Sequence, residues 1–193
     1  RSSHLKTKVL FIGSLSFDQN LKAVENIIKI TSRLDKKMLT FDVIVVGGPL
    51  TYVEHLINHP IVQKGKVTFV GQVSNDKLTE LYGSSLIGLL PFFSNTSLKG
   101  GQRTKALEFF ANRLLVISGP EGVKGIHGLK PGKHYLLVNS LDKMCAIIDK
   151  CLSEPQKYQN IATAGASYIS ENYSWETLTK DYVGLIQGSI SKS

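Results

Sequence analysis

The chain has 193 residues and a formal charge of +8, with 42% hydrophobic and 20% charged residues. These are ordinary proportions for one folded domain and short for two. No apolar run approaches the ~20 residues that span a bilayer, and the basic residues 1–8 with the short apolar stretch ending at Gly13 do not make a secretory signal.

In chain order, short apolar runs alternate with amphipathic stretches. Residues 9–13 form a buried strand closed by Gly13. Residues 20–34 place Leu21, Val24, Ile27, Ile28, Thr31 and Leu34 at helical spacing. Residues 42–48 read as a β-branched strand closed by Gly47 and Gly48, and 51–58 as a short helix. A third strand at 67–71 leads into a helix at 75–84, with Ser74 or Asn75 as its cap. A fourth strand spans 86–92, followed by a polar loop at 93–101 and a helix over 102–112. A fifth strand at 114–118, a glycine-rich segment at 119–133 and a sixth strand at 135–138 follow. Segments 141–153, 156–172 and 175–187 read as closing helices, with a frayed tail at 188–193. Cys145 and Cys151 lie six apart on one of these helices. They read as buried, unpaired thiols and point to a reducing compartment.

Continuously apolar strands between helices imply a parallel sheet covered on both faces, an α/β doubly wound (Rossmann-like) domain of six strands spanning 1–193. Such sheets bind ligands beyond the carboxyl ends of their strands. Those ends are Gly13-Ser14, Gly47-Gly48, Gly71-Gln72-Val73, the 93–101 loop and Gly119-Pro120-Glu121-Gly122. Glycine permits close approach of a ligand to the backbone, although tight turns alone would also use it.

Charge is concentrated between Lys99 and Lys133, where Arg103, Lys105, Arg113, Lys124 and Lys130 also lie and only Glu108 and Glu121 oppose them. Such a field attracts phosphates, nucleic acid or anionic membranes, and scattered surface lysines would produce the same count. More specific is Lys99-Gly100-Gly101-Gln102-Arg103-Thr104-Lys105, a glycine pair opening into a helix. Free amides and the dipole at a helix start make an anion site. The dipole favours acidic residues there, yet Arg103 and Lys105 occupy the first turn, a broken local rule that a bound phosphate would compensate. Glu108, one turn on, is either a solvated partner of Lys105 or a carboxylate that accepts hydrogen bonds from ribose hydroxyls.

These residues resemble the C-terminal domain of the retaining GT-B glycosyltransferases of the group one (family four) class. Val67-Thr68-Phe69-Val70-Gly71-Gln72-Val73, then Leu78, Leu81 and Tyr82, then Pro91, then Ala106-Leu107-Glu108-Phe109-Phe110-Ala111 with Leu115-Val116-Ile117-Ser118 carry the resemblance. Two departures stand out. Gly100 occupies the place of the first glutamate of the family's pair. The basic pair after the first strand is missing, with Ser14 near the expected arginine and Asn20 near the expected lysine. The spacing Gly101-x-Arg103-x-Lys105-x-x-Glu108, with Gly13-Ser14 and Glu121-Gly122, resembles a subset of the family in which Arg103 and Lys105 supply the missing cations.

The resemblance implies transfer of a sugar from a UDP- or GDP-sugar with retention, Arg103 and Lys105 neutralising the leaving diphosphate as the catalytic groups. Lys99, Gly100, Gly101 and Thr104 would frame the helix start. Gly13 and Ser14 would lie under the diphosphate or sugar, Gly47 and Gly48 beside them, Val73 against the base and Glu108 against the ribose. With no Asp-x-Asp in the chain, no metal site is expected and no cofactor beyond the donor substrate. The acceptor, a glycan or lipid carrier, would be held by an N-terminal domain absent from this chain, so the isolated fragment is expected to be inactive. A cytoplasmic location follows, with the positive charge suited to peripheral association at the inner face of the cytoplasmic membrane, and no nucleic-acid partner. A non-catalytic nucleotide-sugar or phosphate-binding module is the alternative, favoured by Gly100. A dinucleotide oxidoreductase is disfavoured because Gly13-Ser14-Leu15-Ser16-Phe17 stands in place of the Gly-x-Gly-x-x-Gly turn. His127 and His134 read as exposed loop histidines, and His55 and His59 lack a third metal ligand nearby. Trp175 is expected to pin the last helix to the core.

Overall fold

The structure is a computed structural model that describes residues 8–36, 41–93 and 102–174, with Thr177 and Thr179. Six strands, β1 (Lys8–Ile12), β2 (Asp42–Val46), β3 (Val67–Gly71), β4 (Ser85–Leu90), β5 (Leu115–Ser118) and β6 (Leu136–Leu137), form one sheet in the order β3-β2-β1-β4-β5-β6. Every pairing is parallel. The sequence expectation of a doubly wound parallel sheet is met. Chain order reverses between β1 and β4, and this is the switch point where sheets of this class open a crevice.

The helices are α1 (Asp18–Asp35), α2 (Glu54–Ile57), α3 (Pro60–Gln63), α4 (Asn75–Ser84), α5 (Gln102–Ala111), α6 (Leu141–Ser153) and α7 (Gln159–Asn172). α1 buries Ala23, Val24, Ile27, Ile28, Ile30 and Leu34. Each such large aliphatic side chain contributes roughly 1.5–3 kcal/mol on leaving water. Thr31 fits the same buried stripe because its hydroxyl donates to the Ile27 carbonyl at 2.8 Å, which satisfies it inside the core. The core continues through Phe11, Leu15, Phe109, Phe110 and Val116, all fully buried. Ser74 caps α4 and Ser140 caps α6, each hydroxyl accepting a backbone N–H three residues on.

The single helix expected at 51–58 is a 3₁₀ turn (Leu50–Val53) running into α2, and α3 follows as a further short helix that the sequence reading does not include. Pro60 lacks an N–H and holds His59 extended, so the chain stops at 59 and restarts. The His59 ring then caps α3, Nδ1 accepting from the Ile61 N–H at 3.3 Å. Strand β2 stops at Val46 because Gly47 has φ +136°, outside the extended region. β6 is shorter than the 135–138 expected from sequence, and Pro155–Tyr158 forms a 3₁₀ turn before α7.

His134 is a clear correction. It is buried, because Nδ1 accepts from the Lys130 N–H at 3.0 Å and the ring stacks on Tyr168 at 4.8 Å. Burial, then Lys133 and Lys130, lower its pKa. His127 is exposed as expected, but its carbonyl accepts the hydroxyls of Tyr168 and Tyr173, so the C-terminal end of α7 and the residue after it clasp the glycine-rich segment. Cys145 and Cys151 are buried and unpaired, and desolvation pushes the Cys151 thiol up to about 12. Trp175 and the helix expected at 175–187 lie outside the described residues, apart from Thr177 and Thr179.

Candidate functional site

At the carboxyl edge, the turns after β1 and β2 extend the sheet's hydrogen bonding past the strands, reaching the last residue of β3. Gly13 N–H donates to the Val46 carbonyl at 2.9 Å, Leu15 N–H to Gly48 at 2.9 Å and Gly47 N–H to Gly71 at 2.8 Å. The turns after β1 and β2, with the last residue of β3, thus form one bonded shelf. Gly47 is required by that shelf, since a Cβ there would stand 1.9 Å from the Gly13 carbonyl oxygen. This explains the glycine without a ligand. Gly48 is buried beside it.

Ser14 stands exposed on the shelf, its Oγ 2.7 Å from Ser16 Oγ and donating to the Gly48 carbonyl at 3.4 Å. Val73 is half-buried just after β3 and packs against the core edge, and Thr104 is exposed in the first turn of α5. Lys99, Gly100 and Gly101 lie outside the described residues, as does the Arg103 side chain.

The centre of the site is Lys105. On the first turn of α5 a lysine ordinarily reaches solvent, but this one is only 8% exposed. Its Nζ donates to Asn20 Oδ1 at 2.8 Å and sits over the rings of Phe11 and Phe92, at 5.1 and 5.4 Å. The turn after β1 is immediately adjacent, for a Cβ on Gly13 would lie 2.6 Å from that nitrogen. Gly13 is therefore the residue that lets the amine lie against the β1 turn. Burial lowers the lysine pKa to about 8, against a smaller upward pull from Glu108. Among the described residues no carboxylate is within ion-pair distance of it. A buried cation held by a neutral amide and two ring faces is under-compensated, and an anion entering at the switch point would complete it.

Glu108 is half-buried one turn further along α5. Its Oε2 accepts the Tyr82 hydroxyl of α4 at 2.8 Å. Tyr82 is itself buried, its ring edge-on to Phe109 at 6.4 Å. Burial, then the hydrogen bond to Glu108, raise the phenol pKa. Glu108 is thus anchored through one oxygen, leaving Oε1 without a protein partner among the described residues.

The basic stretch is not one patch. Lys124 is paired with Glu121 at 3.2 Å, and Arg113 lies beyond the far end of α5. Two contributors escape sequence reasoning. Asn20 is distinguished there only by standing near an expected lysine, and Tyr82 only by fitting a helix pattern. Neither partnership, across 85 and 26 residues, leaves a local signal.

A family model described as "Glycosyl transferases group 1" matches residues 6–154. No curated protein matches the chain in sequence. Among solved structures the fold is similar to sucrose-phosphate synthase from Thermosynechococcus elongatus, with TM-score 0.77 and 19% identity over 98% of this chain and 47% of that one. HepE of Anabaena, crystallised in complex with UDP, gives TM-score 0.73 and 18% identity over 95% and 49%. The C-terminal domain of the group 1 glycosyl transferase LpcC from Francisella tularensis gives TM-score 0.69 and 18% identity over 87% of each chain. Identities this low establish the fold alone. The chain spans about half the length of the first two and most of the third.

Proposed function

The chain belongs to the group 1 glycosyl transferase family, and from that premise we propose that it is the donor-binding half of a glycosyltransferase. It takes a UDP- or GDP-sugar and serves transfer of the sugar, with retention and without a metal, to an acceptor glycan or lipid carrier held by a second domain. The observation that carries this reading is Lys105, a buried cation without a carboxylate partner among the described residues, at the reversal point of the sheet. Cleavage of a nucleotide-sugar places growing negative charge on the leaving diphosphate, and a preorganised cation in a dry site stabilises that charge as it forms. The Lys105 ammonium and the first-turn amides of α5 supply this stabilisation, with Arg103 as the second cation. Glu108, anchored by Tyr82, offers its remaining oxygen to the ribose hydroxyls. HepE, of similar fold, has been crystallised with UDP, with UDP and glucose, and with UDP-glucose. No helix among the described residues is long and apolar enough to cross a membrane, and the +8 charge suits peripheral attachment at the inner face of the cytoplasmic membrane.

The test is calorimetric titration of the chain with UDP, GDP and pyrophosphate, in Mg²⁺ and in chelator, across a range of salt. Binding that persists in chelator and weakens with salt is expected. Binding of none of the three, or only with Mg²⁺, would defeat the reading. Sugar transfer should require the acceptor domain, so transfer by this chain alone would contradict the two-domain arrangement. Gly100, where the family's first glutamate is expected, supports a second reading, a binding module without catalysis. Single-turnover measurements on the two-domain protein separate the two.

A further inference from the structure

We propose that Asn20 is a positioning residue that holds the Lys105 ammonium against the turn after β1 without neutralising it. This rests on the reading of Lys105 as the cation that meets a diphosphate. Asn20 lies in the first turn of α1 and is 3% exposed, an unusual burial for an amide unless both its ends are satisfied. They are. Oδ1 accepts from Lys105 Nζ at 2.8 Å, and Nδ2 donates to the Ser14 carbonyl at 2.7 Å. The two bonds fix the amide's orientation, because a flipped amide would set its NH₂ against the ammonium and its oxygen against a carbonyl. One side chain therefore ties α1, the β1 turn and α5 together at the place where the shelf meets the cation.

The chemistry of the amide sets what the lysine can do. A leucine here would leave the ammonium with no acceptor, and the lysine would shed its proton or leave the pocket. An aspartate of the same shape would pair with it and cancel the field that an incoming anion needs. Asparagine accepts the hydrogen bond and brings no net charge. The other groups facing the amine do not alter this balance. Phe11 of β1 and Phe92 after β4 present rings, and Gly13 and Ser14 present the turn. Glu108 on α5 is the one charged group acting on it among the described residues, outside ion-pair distance and bonded to Tyr82 of α4.

The experiment uses the 193-residue chain labelled with ¹⁵N-lysine. The ionisation of Lys105 Nζ is followed by NMR in the wild type, Asn20→Asp and Asn20→Ala. Pyrophosphate affinity is measured in parallel from pH 6.5 to 10. Asn20→Asp should move the Lys105 ionisation up by at least one pH unit, carry the alkaline loss of affinity up with it, and weaken pyrophosphate about tenfold at neutral pH. Asn20→Ala should move the ionisation down and bring the loss of affinity to lower pH. A merely structural asparagine would change melting in both variants and leave the ionisation in place, and that result overturns the proposal. If the ionisation shifts as expected but the wild type binds neither pyrophosphate nor UDP, the diphosphate reading falls while Asn20's hold on Lys105 stands.

Discussion

The two ends of α5 each carry a cation, and they treat it in opposite ways. Lys105 lies in the first turn, where the helix dipole repels it, and it is buried with a neutral partner and a depressed pKa. Arg113 lies two residues past the last turn, where the dipole welcomes a cation, and it is exposed. Its strain is in the backbone instead. With φ 58° it takes the left-handed conformation that usually ends a helix on glycine. The contrast separates two kinds of cost. The electrostatic cost at Lys105 faces the switch point, where a bound anion would relieve it. The conformational cost at Arg113 faces the other end of the helix and is relieved by nothing the site does.

Lys105→Met should lower pyrophosphate and UDP affinity by about 2–3 kcal/mol, the upper range for a charge-assisted hydrogen bond. The same change removes a desolvated charge but strips the buried Asn20 Oδ1 of its donor, and these opposing effects, each about 1–3 kcal/mol, should leave the stability of the unliganded protein at pH 7 nearly unchanged. The pH dependence follows from the sign of the shift. Below about 8 the lysine is charged in both folded and unfolded chains and its penalty is complete. Between about 8 and the ordinary lysine value of 10.5 the unfolded chain holds the extra proton. Stability therefore rises with pH in that window, while anion affinity falls. Denaturant melts of the two proteins from pH 7 to 10 should show that rise in the wild type and lose it in the variant.

Glu108→Ala should weaken UDP by about 1–2 kcal/mol and leave pyrophosphate nearly unchanged, because only UDP carries a ribose. Equal losses for both ligands in calorimetry would remove the ribose contact. Tyr82→Phe deletes one hydroxyl from the same carboxylate. It should cost about 1 kcal/mol of stability, read by chemical denaturation, and a few-fold in UDP affinity.

The smallest effect tests the far end. Arg113→Gly should raise stability by about 0.5–1 kcal/mol by removing the left-handed strain, with UDP affinity unchanged. A loss of nucleotide binding there would mean that the two ends of α5 are coupled.

The fold was legible because its signals are local. Apolar runs closed by Gly13, Gly47 and Gly71 mark parallel strands, and the Ile27–Ile28–Thr31–Leu34 spacing marks a helix whatever its partners. The site was legible only in part. Lys105 drew attention by breaking the dipole rule, but its burial depends on Asn20, Phe11 and Phe92, brought together by the sheet. His134 was misplaced for the same reason. Glycines around it suggest an exposed loop, whereas Tyr168 of α7 closes over the ring from 34 residues away. The capping of α3 by His59 is another partnership that residue spacing does not announce.

The bonded shelf has a consequence for the cost of recognition. Loops that bind ligands usually fluctuate, and ordering them subtracts from affinity. Here the amides of Gly13, Leu15 and Gly47 are tied into the sheet ladder before any ligand arrives. Their hydrogen exchange should be as slow as that of the interior of β1, and nearly the same with and without nucleotide. The shelf is thus a solid surface with little entropy left to lose, and discrimination among ligands bound over it would fall to the side chains standing around it.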